Sequence, residues 1–214
     1  MNTYLILLRG INVGGKRKVK MSELREWFVQ QGFHNVITFG NAGNVVADAE
    51  SDMVDFASLG IALSAHEGFE IHLSGLSVAD INDMMSHSPD WWGIKDDGRH
   101  DLIIASSEAE AKRDLDEFAP YIGPENRVLL YRRFIFMSTG AELRNKTRLL
   151  RISTTTAFAR ITVRNANTMR KLTTLMNDRH HDLLLVTTKR KMEISIIQFK
   201  GSNKHVKNAN CDTH

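Results

Sequence analysis

The apolar and polar positions of the chain divide it into short strands and amphipathic helices. Residues 4–9 form a short apolar run that a glycine follows, which is typical of a buried central strand. Residues 22–31 carry apolar side chains at helical spacing. We therefore expect a helix there, with Ser22 as its N-cap and Gly32 as its C-cap.

The rest of the first half continues in short elements. Its patterns predict strands over 35–39, 44–47 and 69–73, and helices over 50–66 and 77–85. Gly60 predicts an interruption of the first of these helices. The turn-rich stretch 88–98 predicts a linker or surface loop, in which Trp91 and Trp92 pack against a neighbouring element.

The second half repeats this order of elements. It predicts strands over 101–106, 127–131, 134–138 and 159–164, and helices over 108–118, 142–154 and 165–176. Strand, helix, strand, strand, helix, strand is the ferredoxin-like order. We predict an α+β fold of two tandem ferredoxin-like (βαββαβ) units with antiparallel sheets, 1–88 and 99–178. Residues 179–214 are expected to form a C-terminal extension, a hairpin followed by a mobile tail.

The composition is that of a globular protein. Of its 214 residues, 42% are hydrophobic and 25% are charged, and the chain contains only three prolines. The single cysteine, Cys211, excludes an intramolecular disulfide framework and fits a reducing compartment. No signal peptide and no apolar run of ~20 residues is found, so we expect a cytoplasmic protein with no membrane partner.

The charge is distributed unevenly around a net value of +3. Residues 26–94 contain ten acidic residues and no Lys or Arg, whereas residues 143–177 contain eight Lys or Arg and no acid. Residues 9–25 hold six basic residues against one acid, Glu23. This asymmetry indicates a face for anions, although basic residues on solvated helix faces would give the same counts.

The loop after the first strand matches part of a nucleotide-binding motif. The stretch from Gly10 to Lys16 satisfies G-x-x-x-x-G-K, the beginning of a P-loop. The next residue of that motif must be Ser or Thr to bind Mg²⁺, and here it is Arg17. A P-loop helix also begins at its lysine, whereas the expected cap, Ser22, lies six residues later. The sequence therefore does not predict a nucleotide triphosphatase.

A more general anion site remains possible in this loop. Its glycines allow backbone amides to point into a shared concavity, and Arg9 at the strand end can hold an oxyanion through two hydrogen bonds. The Gly-Asn-Ala-Gly-Asn turn at 40–44 is expected to face it. The alternative is a flexible basic loop, in which the glycines serve only the turns.

The same residues carry a resemblance to a known family. Four stretches resemble the bacterial domain of unknown function 1697 family: Leu-Leu-Arg-Gly-Ile-Asn-Val-Gly-Gly, Met-Ser-Glu-Leu, Gly-Phe-His-Asn-Val-Ile-Thr-Phe and Gly-Asn-Val-Val. Residues 163–172 are similar to its second signature, Arg-Asn-Trp-x-Thr before a helix, so the resemblance spans nearly the whole chain. Ala166 replaces that Trp, and Ala42 replaces the Ser of the family's Ser-Gly-Asn turn. The resemblance implies a two-unit α+β fold and no known activity.

The family motifs, together with the lysine of the loop, give the candidate ligand-binding residues. They are Arg9, Gly10, Asn12, Gly14, Gly15, Lys16, Asn44, Arg164, Asn165 and Thr168. Asn12 and Asn44 are either ligand donors or ties between the two loops. Asn165 is alternatively the N-cap of its helix, and Arg164 is alternatively a solvent-facing side chain.

Other catalytic or metal-binding patterns are absent from the sequence. The nine histidines include no H-x-x-x-H pair on a predicted helix, there is no cysteine pair, and no G-x-S-x-G motif occurs. We therefore expect no metal and no cofactor. The catalytic residues stay unassigned, and enzymatic activity stays an open question.

Three functions are compatible with these observations. The first is binding of an anionic small molecule, bearing a phosphate or carboxylate, at the Gly/Lys loop. The second is a nucleic-acid-binding module that uses the basic runs 16–20 and 144–171, although the strands lack the aromatic signature of RNA-binding sheets. The third is a non-catalytic scaffold, and the sequence leaves the oligomeric state open.

Overall fold

The computed structural model describes residues 1–51, 53–95, 98–143 and 145–181. Residues Met1–Met176 form one compact unit, and every contact given below lies within it. The strands and helices of the first half are β1 (Asn2–Arg9), α1 (Met21–Gln30), β2 (His34–Thr38), β3 (Asn44–Ala49), α2 (Phe56–Glu67), β4 (His72–Ser77) and α3 (Val78–Ser86). Those of the second half are β5 (Arg99–Ile104), α4 (Glu108–Phe118), β6 (Asn126–Tyr131), β7 (Phe134–Thr139), β8 (Thr162–Asn165) and α5 (166–181).

The strands form two four-stranded antiparallel sheets with the same arrangement. Their orders are β2-β3-β1-β4 and β6-β7-β5-β8, so the first strand of each half lies in the interior of its sheet. β1 pairs with β3 on one side and β4 on the other, as β5 pairs with β7 and β8. The α+β fold and the tandem ferredoxin-like arrangement are thereby confirmed.

Both faces of β1 are covered, which explains its continuous apolar sequence. Leu5 and Leu7 belong to a core that both sheets share, together with side chains of β5, β7, α3 and α5. Ile6 and Leu8 point to the opposite face, where α1 and α2 pack. The prediction of a buried central strand is correct, and the core shared by the two sheets makes one compact unit of them.

The prediction of a helix over 142–154 is wrong. In its place are 3₁₀ helices at Ala141–Leu143 and Arg148–Thr154, followed by another at Ala157–Ala159. The hydroxyls of Ser153, Thr154 and Thr155 each donate to the carbonyl three residues earlier, at 2.9, 2.7 and 2.7 Å. Such local side-chain bonds compete with α-helical geometry, and a run of Ser and Thr favours them.

The first helix begins earlier than its sequence indicates. Lys20 occupies the N-cap position without a side-chain hydrogen bond, so Ser22 lies inside the first turn. Gln31 is the C-cap, and the next residue, Gly32, has the left-handed φ of +86°. The predicted N-cap was therefore wrong by two residues and the predicted C-cap by one. Ser22 has a side chain that suits an N-cap, but the helix already begins at Met21.

α2 is continuous through Gly60, contrary to the predicted interruption. The helix begins after Asp55, whose carboxylate accepts hydrogen bonds from the amides of Ala57 and Ser58 at 3.0 and 3.1 Å. Gly60 faces the sheet, where an added Cβ would lie 3.2 Å from the carbonyl oxygen of Ile71. The glycine thus permits close packing of α2 on the start of β4. It does not break the helix.

The loop that joins the two halves is anchored by Trp92. Its indole Nε1 donates to the carbonyl of Asp101 at 2.9 Å, and its ring meets Phe136 edge-on at 5.1 Å. The predicted packing of this aromatic residue is confirmed. The unit boundaries 1–88 and 99–178 stay predictions, and the C-terminal hairpin and tail lie outside the described residues. Within the part of the chain described, no helix is long and apolar enough to cross a bilayer.

Candidate anion-binding corner

The Gly-rich loop after β1 is a tight hairpin. The amide of Lys16 donates to the carbonyl of Val13 at 3.1 Å, and the amide of Asn12 donates to the carbonyl of Arg17 at 2.9 Å. Gly14 and Gly15, between them, have φ values of +58° and +74°. Two consecutive positive φ values are typical of a two-residue hairpin turn that glycine favours. Both glycines are exposed, and a Cβ at either would meet no atom within 4 Å.

Asn12 ties this hairpin to the turn at 40–43. Its Nδ2 donates to the carbonyls of Val19 and Asn41, both at 2.9 Å, while its Oδ1 accepts from the amide of Val19 at 2.9 Å. The side chain therefore closes its own loop and reaches the neighbouring one. This geometry supports the interpretation of Asn12 as a tie between the two loops over its interpretation as a ligand donor.

The turn at 40–43 is packed against the end of β1. The amide of Leu8 donates to the carbonyl of Gly43 at 2.7 Å, and a Cβ at Gly43 would lie 2.5 Å from the Cβ of Leu8. The side chain of Asn44 donates to the carbonyl of Phe39 at 2.9 Å and so closes the turn. Asn44, like Asn12, is used to hold the backbone.

Arg164 of β8 reaches from the second sheet into this junction. Its Nε donates to Asn44 Oδ1 at 2.6 Å, and its Nη2 donates to the carbonyls of Leu8 and Ala42 at 2.7 and 2.9 Å. These acceptors are neutral, and burial lowers the pKa of the guanidinium to about 10. The alternative of a solvent-facing Arg164 was wrong. We call Asn12, Asn44 and Arg164, with the backbone they hold, the clamp.

Asn165 and Thr168 stand at the start of α5. Asn165 Oδ1 accepts a hydrogen bond from the amide of Thr168 at 2.8 Å, which confirms Asn165 as the N-cap of α5. Asn165 also lines a polar cavity of about 380 Å³ with Arg99 and Asn167. The candidate residues thus form two groups. One group is the clamp together with the basic hairpin, and the other is Asn165 and Thr168 at the start of α5.

Arg9 at the end of β1 and Arg17 at the end of the hairpin each lie over an aromatic ring. The Arg9 guanidinium lies 5.7 Å from the centre of the Phe158 ring, and that of Arg17 lies 5.8 Å from the Phe69 ring. A Cβ at Gly10 would be only 3.1 Å from Arg17 Nη1, so this glycine leaves space for the second guanidinium. We call Arg9, Gly10 and Arg17, with the two phenylalanines, the arginine corner.

The arginine corner holds positive charge that is incompletely balanced. Burial is the largest influence and lowers the pKa of Arg9, nearby Arg17 lowers it further, and Glu70 raises it. Glu70 also contacts His72, with Nε2 to Oε1 at 3.3 Å, and His72 stands opposite Arg9 in the β1–β4 pairing. Lys16 and Lys18 are exposed on the same hairpin. The hairpin surface is therefore rich in positive charge.

Sequence reasoning gave Arg17 only a general electrostatic role and missed Phe69 and Phe158. The contacts that hold each guanidinium over a ring join residues 52 and 149 positions apart along the chain. No local pattern signals such pairs, since they arise only when the folded chain brings Arg17 to the segment before β4 and Arg9 to the 3₁₀ helix at Ala157–Ala159. Among the described residues, no group of three or more His, Cys, Asp or Glu side chains is arranged to hold a metal ion.

Comparisons with known proteins show relatives of this fold. A family model described as "Protein of unknown function (DUF1697)" matches residues 1–136, so the stretch 163–172 lies beyond the match. The conserved bacterial protein SP0830 from Streptococcus pneumoniae has a similar structure, with a TM-score of 0.73 at 25% identity. The similarity covers 83% of this chain and 99% of that one. No curated protein matches the chain.

Proposed function

The chain belongs to the DUF1697 family of proteins of unknown function, and we propose that it binds an anionic small molecule at the arginine corner. The ligand class is a molecule that bears a phosphate or a carboxylate. The observation that carries the proposal is that Arg17 lies over Gly10 and that its charge acts on the partly buried Arg9. Binding is the proposed role, and the corner is assigned no catalytic step.

Like charges at short range are unfavourable unless an anion lies between them. The charge of Arg17 acts on Arg9 in this way, and the absence of a side chain at Gly10 leaves space for the Arg17 guanidinium, while Glu70 offsets positive charge at Arg9. An oxyanion that accepts hydrogen bonds from both would relieve the repulsion, and guanidinium forks suit phosphate and carboxylate geometry. Partial burial of Arg9 strengthens such an interaction, since its charge is less screened by water.

The clamp supports this proposal indirectly. The side chain of Asn12 bonds to backbone and fixes the base of the hairpin, while Asn44 bonds to the carbonyl of Phe39 and to Arg164 and fixes the neighbouring turn. A fixed base positions Arg17 relative to Arg9, whose strand is held by pairing on both sides. Preorganised charges bind an anion more tightly than charges on a flexible loop, because less conformational entropy is lost. The clamp residues are thus proposed to position the site without touching the ligand.

Isothermal titration calorimetry with inorganic phosphate and with citrate, at constant ionic strength, tests the proposal. Arg17→Gln should weaken binding about tenfold or more, the value expected for losing hydrogen bonds to a charged group. Arg151→Gln is the matched control, because Arg151 is an exposed arginine of a different segment, and its affinity should stay within about twofold.

Three results bear on the outcome. No heat with either anion, or an unchanged affinity in Arg17→Gln, contradicts the arginine corner. Binding that is specific to phosphate or to citrate identifies which head group the corner prefers. Single-stranded RNA that binds more tightly than either, with affinity that falls steeply with salt and depends equally on Lys16, Arg17 and Arg151, would support the nucleic-acid alternative.

A further inference from the structure

The second sheet contains an apolar cavity that is separate from the hairpin. It has a volume of about 280 Å³ and lies between the sheet and the 3₁₀ helix Arg148–Thr154. Its apolar lining comes from β5, β7, β8 and the 3₁₀ segments: Ile103, Met137, Val163, Leu149, Ile152 and Phe158. An apolar pocket of this size, partly open to solvent, is large enough for a six-membered ring with a short substituent, since about 150 Å³ already accommodates benzene.

The cavity follows from the way the second half departs from the first. In the first half the twelve-residue helix α2 lies between β3 and β4 and covers the sheet. In the second half the corresponding segment forms a seven-residue 3₁₀ helix, Arg148–Thr154, and a shorter one after it. The cavity lies where these shorter elements, in place of an α-helix, pack on the sheet.

An ion pair stands at the wall of this apolar space. Arg99 Nε donates to Asp101 Oδ2 at 2.5 Å, and both residues line the cavity. They lie two positions apart on β5, so their side chains share a face with Ile103. The Asp101 side chain is only 15% exposed and that of Arg99 is 44% exposed. The cavity therefore presents one positive and one negative group side by side next to an apolar interior.

We propose that this cavity binds a zwitterionic ligand with an apolar side chain, the chemistry of a free hydrophobic α-amino acid. The carboxylate of such a ligand would pair with Arg99, its ammonium with Asp101, and its side chain would enter the space between the sheet and the 3₁₀ helix. The charge complementarity decides the class. A simple fatty or aromatic acid satisfies Arg99 but leaves Asp101 facing a second carboxylate, and an apolar amine leaves Arg99 facing a second cation.

Binding of L-phenylalanine, measured by calorimetry, is the first test. L-Phenylalanine and L-leucine should bind, whereas 3-phenylpropanoate, which lacks the ammonium, and phenethylamine, which lacks the carboxylate, should bind at least tenfold more weakly. Glycine, which lacks the apolar side chain, should not bind measurably. Absence of L-phenylalanine binding overturns the proposal, and so does equal affinity for 3-phenylpropanoate.

Variants locate the site. Asp101→Asn keeps a hydrogen-bond acceptor for Arg99 but removes the charge, so it should lower the affinity for L-phenylalanine at least tenfold and leave 3-phenylpropanoate unchanged or tighter. Asp116→Asn, an exposed aspartate of α4, is the matched control and should change neither. Ser153→Trp, at an exposed cavity-lining position, should block both ligands without disturbing the core.

Methyl NMR of the wild-type protein locates the ligand without any substitution, so the result does not depend on whether a variant folds. The Met137 methyl group lines the cavity and should shift on addition of L-phenylalanine, whereas that of Met84, in the core shared by the sheets, should not. A ligand that binds without moving the Met137 signal is bound elsewhere and overturns the assignment. Arg17→Gln separates this proposal from the first, because Arg17 does not line the cavity, although Phe158 of the arginine corner does.

Discussion

Replacing Arg164 by alanine removes the side chain that joins the second sheet to the end of β1. In the native fold its guanidinium donates to Asn44 Oδ1 and to the carbonyls of Leu8 and Ala42, at 2.6, 2.7 and 2.9 Å. In Arg164→Ala all three acceptors lose this donor, and each then bonds to water or is left without a hydrogen bond. The 40–43 turn is then held against β1 by the Leu8 to Gly43 hydrogen bond, by Asn12 and by the pairing of β1 with β3.

Two opposing contributions set the magnitude. A hydrogen bond to a charged group contributes about 1.5–3 kcal/mol after the exchange with water is included, so three of them would contribute about 4.5 kcal/mol or more. Burial of the cation opposes this, since it lowers the pKa of Arg164 to about 10, and the contribution falls below that sum. The net loss in Arg164→Ala is therefore about 3 kcal/mol, which in a unit of this size lowers the Tm by about 10 °C.

Urea denaturation followed by circular dichroism measures this loss directly. Arg151→Ala, the exposed arginine, is the control and should stay within about 0.5 kcal/mol of the wild type. Arg164→Lys should recover less than half of the loss, because one ammonium does not reproduce the fork that reaches three acceptors. A free energy of unfolding for Arg164→Ala within about 0.5 kcal/mol of the wild type would refute the assignment of Arg164 as a stabilising clamp.

Two further perturbations test the same structure. Gly43→Ala should destabilise the protein by about 2–4 kcal/mol in the same urea assay, since its φ is +71° and the new Cβ would lie 2.5 Å from that of Leu8. Gly14→Ala is the control, because Gly14 has a φ of +58° but open space around it, and it should cost only about 1 kcal/mol. Equal losses of stability in the two variants would contradict the packing argument. Burial raises the pKa of Asp114, although its partner Arg160 opposes the shift. The native state therefore binds more protons there than the unfolded chain, and this contribution to stability falls as pH rises above the unfolded value of 3.8. Asp114→Asn should accordingly gain stability relative to the wild type between pH 4 and 7, and a relative loss with rising pH over that range would show that the Arg160 ion pair outweighs burial.

The sequence predicted the elements whose signals are local. α4 spans Glu108–Phe118 in the structure, the same range as the prediction, because Ser107 supplies a side-chain cap and the apolar stripe is regular. β1 was predicted from its apolar run, since burial on both faces requires apolar side chains in succession. The segment after β7 was misread because its basic and apolar spacing resembles a helix, while its Ser and Thr hydroxyls bond to nearby carbonyls instead.

The candidate site was predicted in part, and the missing part is long-range. Arg9, Asn12 and Asn44 were selected from the sequence, but whether an asparagine contacts a ligand or a backbone carbonyl depends on which carbonyls come within reach. Arg164 shows the limit most clearly: its acceptor at Leu8 lies 156 residues away. No local pattern distinguishes an arginine that faces solvent from one that bridges two sheets, so the burial of Arg164 appears only in the folded chain.

This division of roles changes how the family motif is interpreted. A glycine-, asparagine- and arginine-rich motif at a strand end resembles a ligand site, yet Asn12, Asn44 and Arg164 bond to neutral protein groups. An arginine whose hydrogen bonds are already made to its own fold has little left for an anion, whereas the guanidiniums of Arg9 and Arg17 each lie over an aromatic ring, and Glu70 is the acid that acts on Arg9. Substitutions in the clamp should therefore reduce stability first and anion affinity only through the position of the hairpin. Arg17→Gln should have the opposite effect, lowering affinity with little change in the free energy of unfolding.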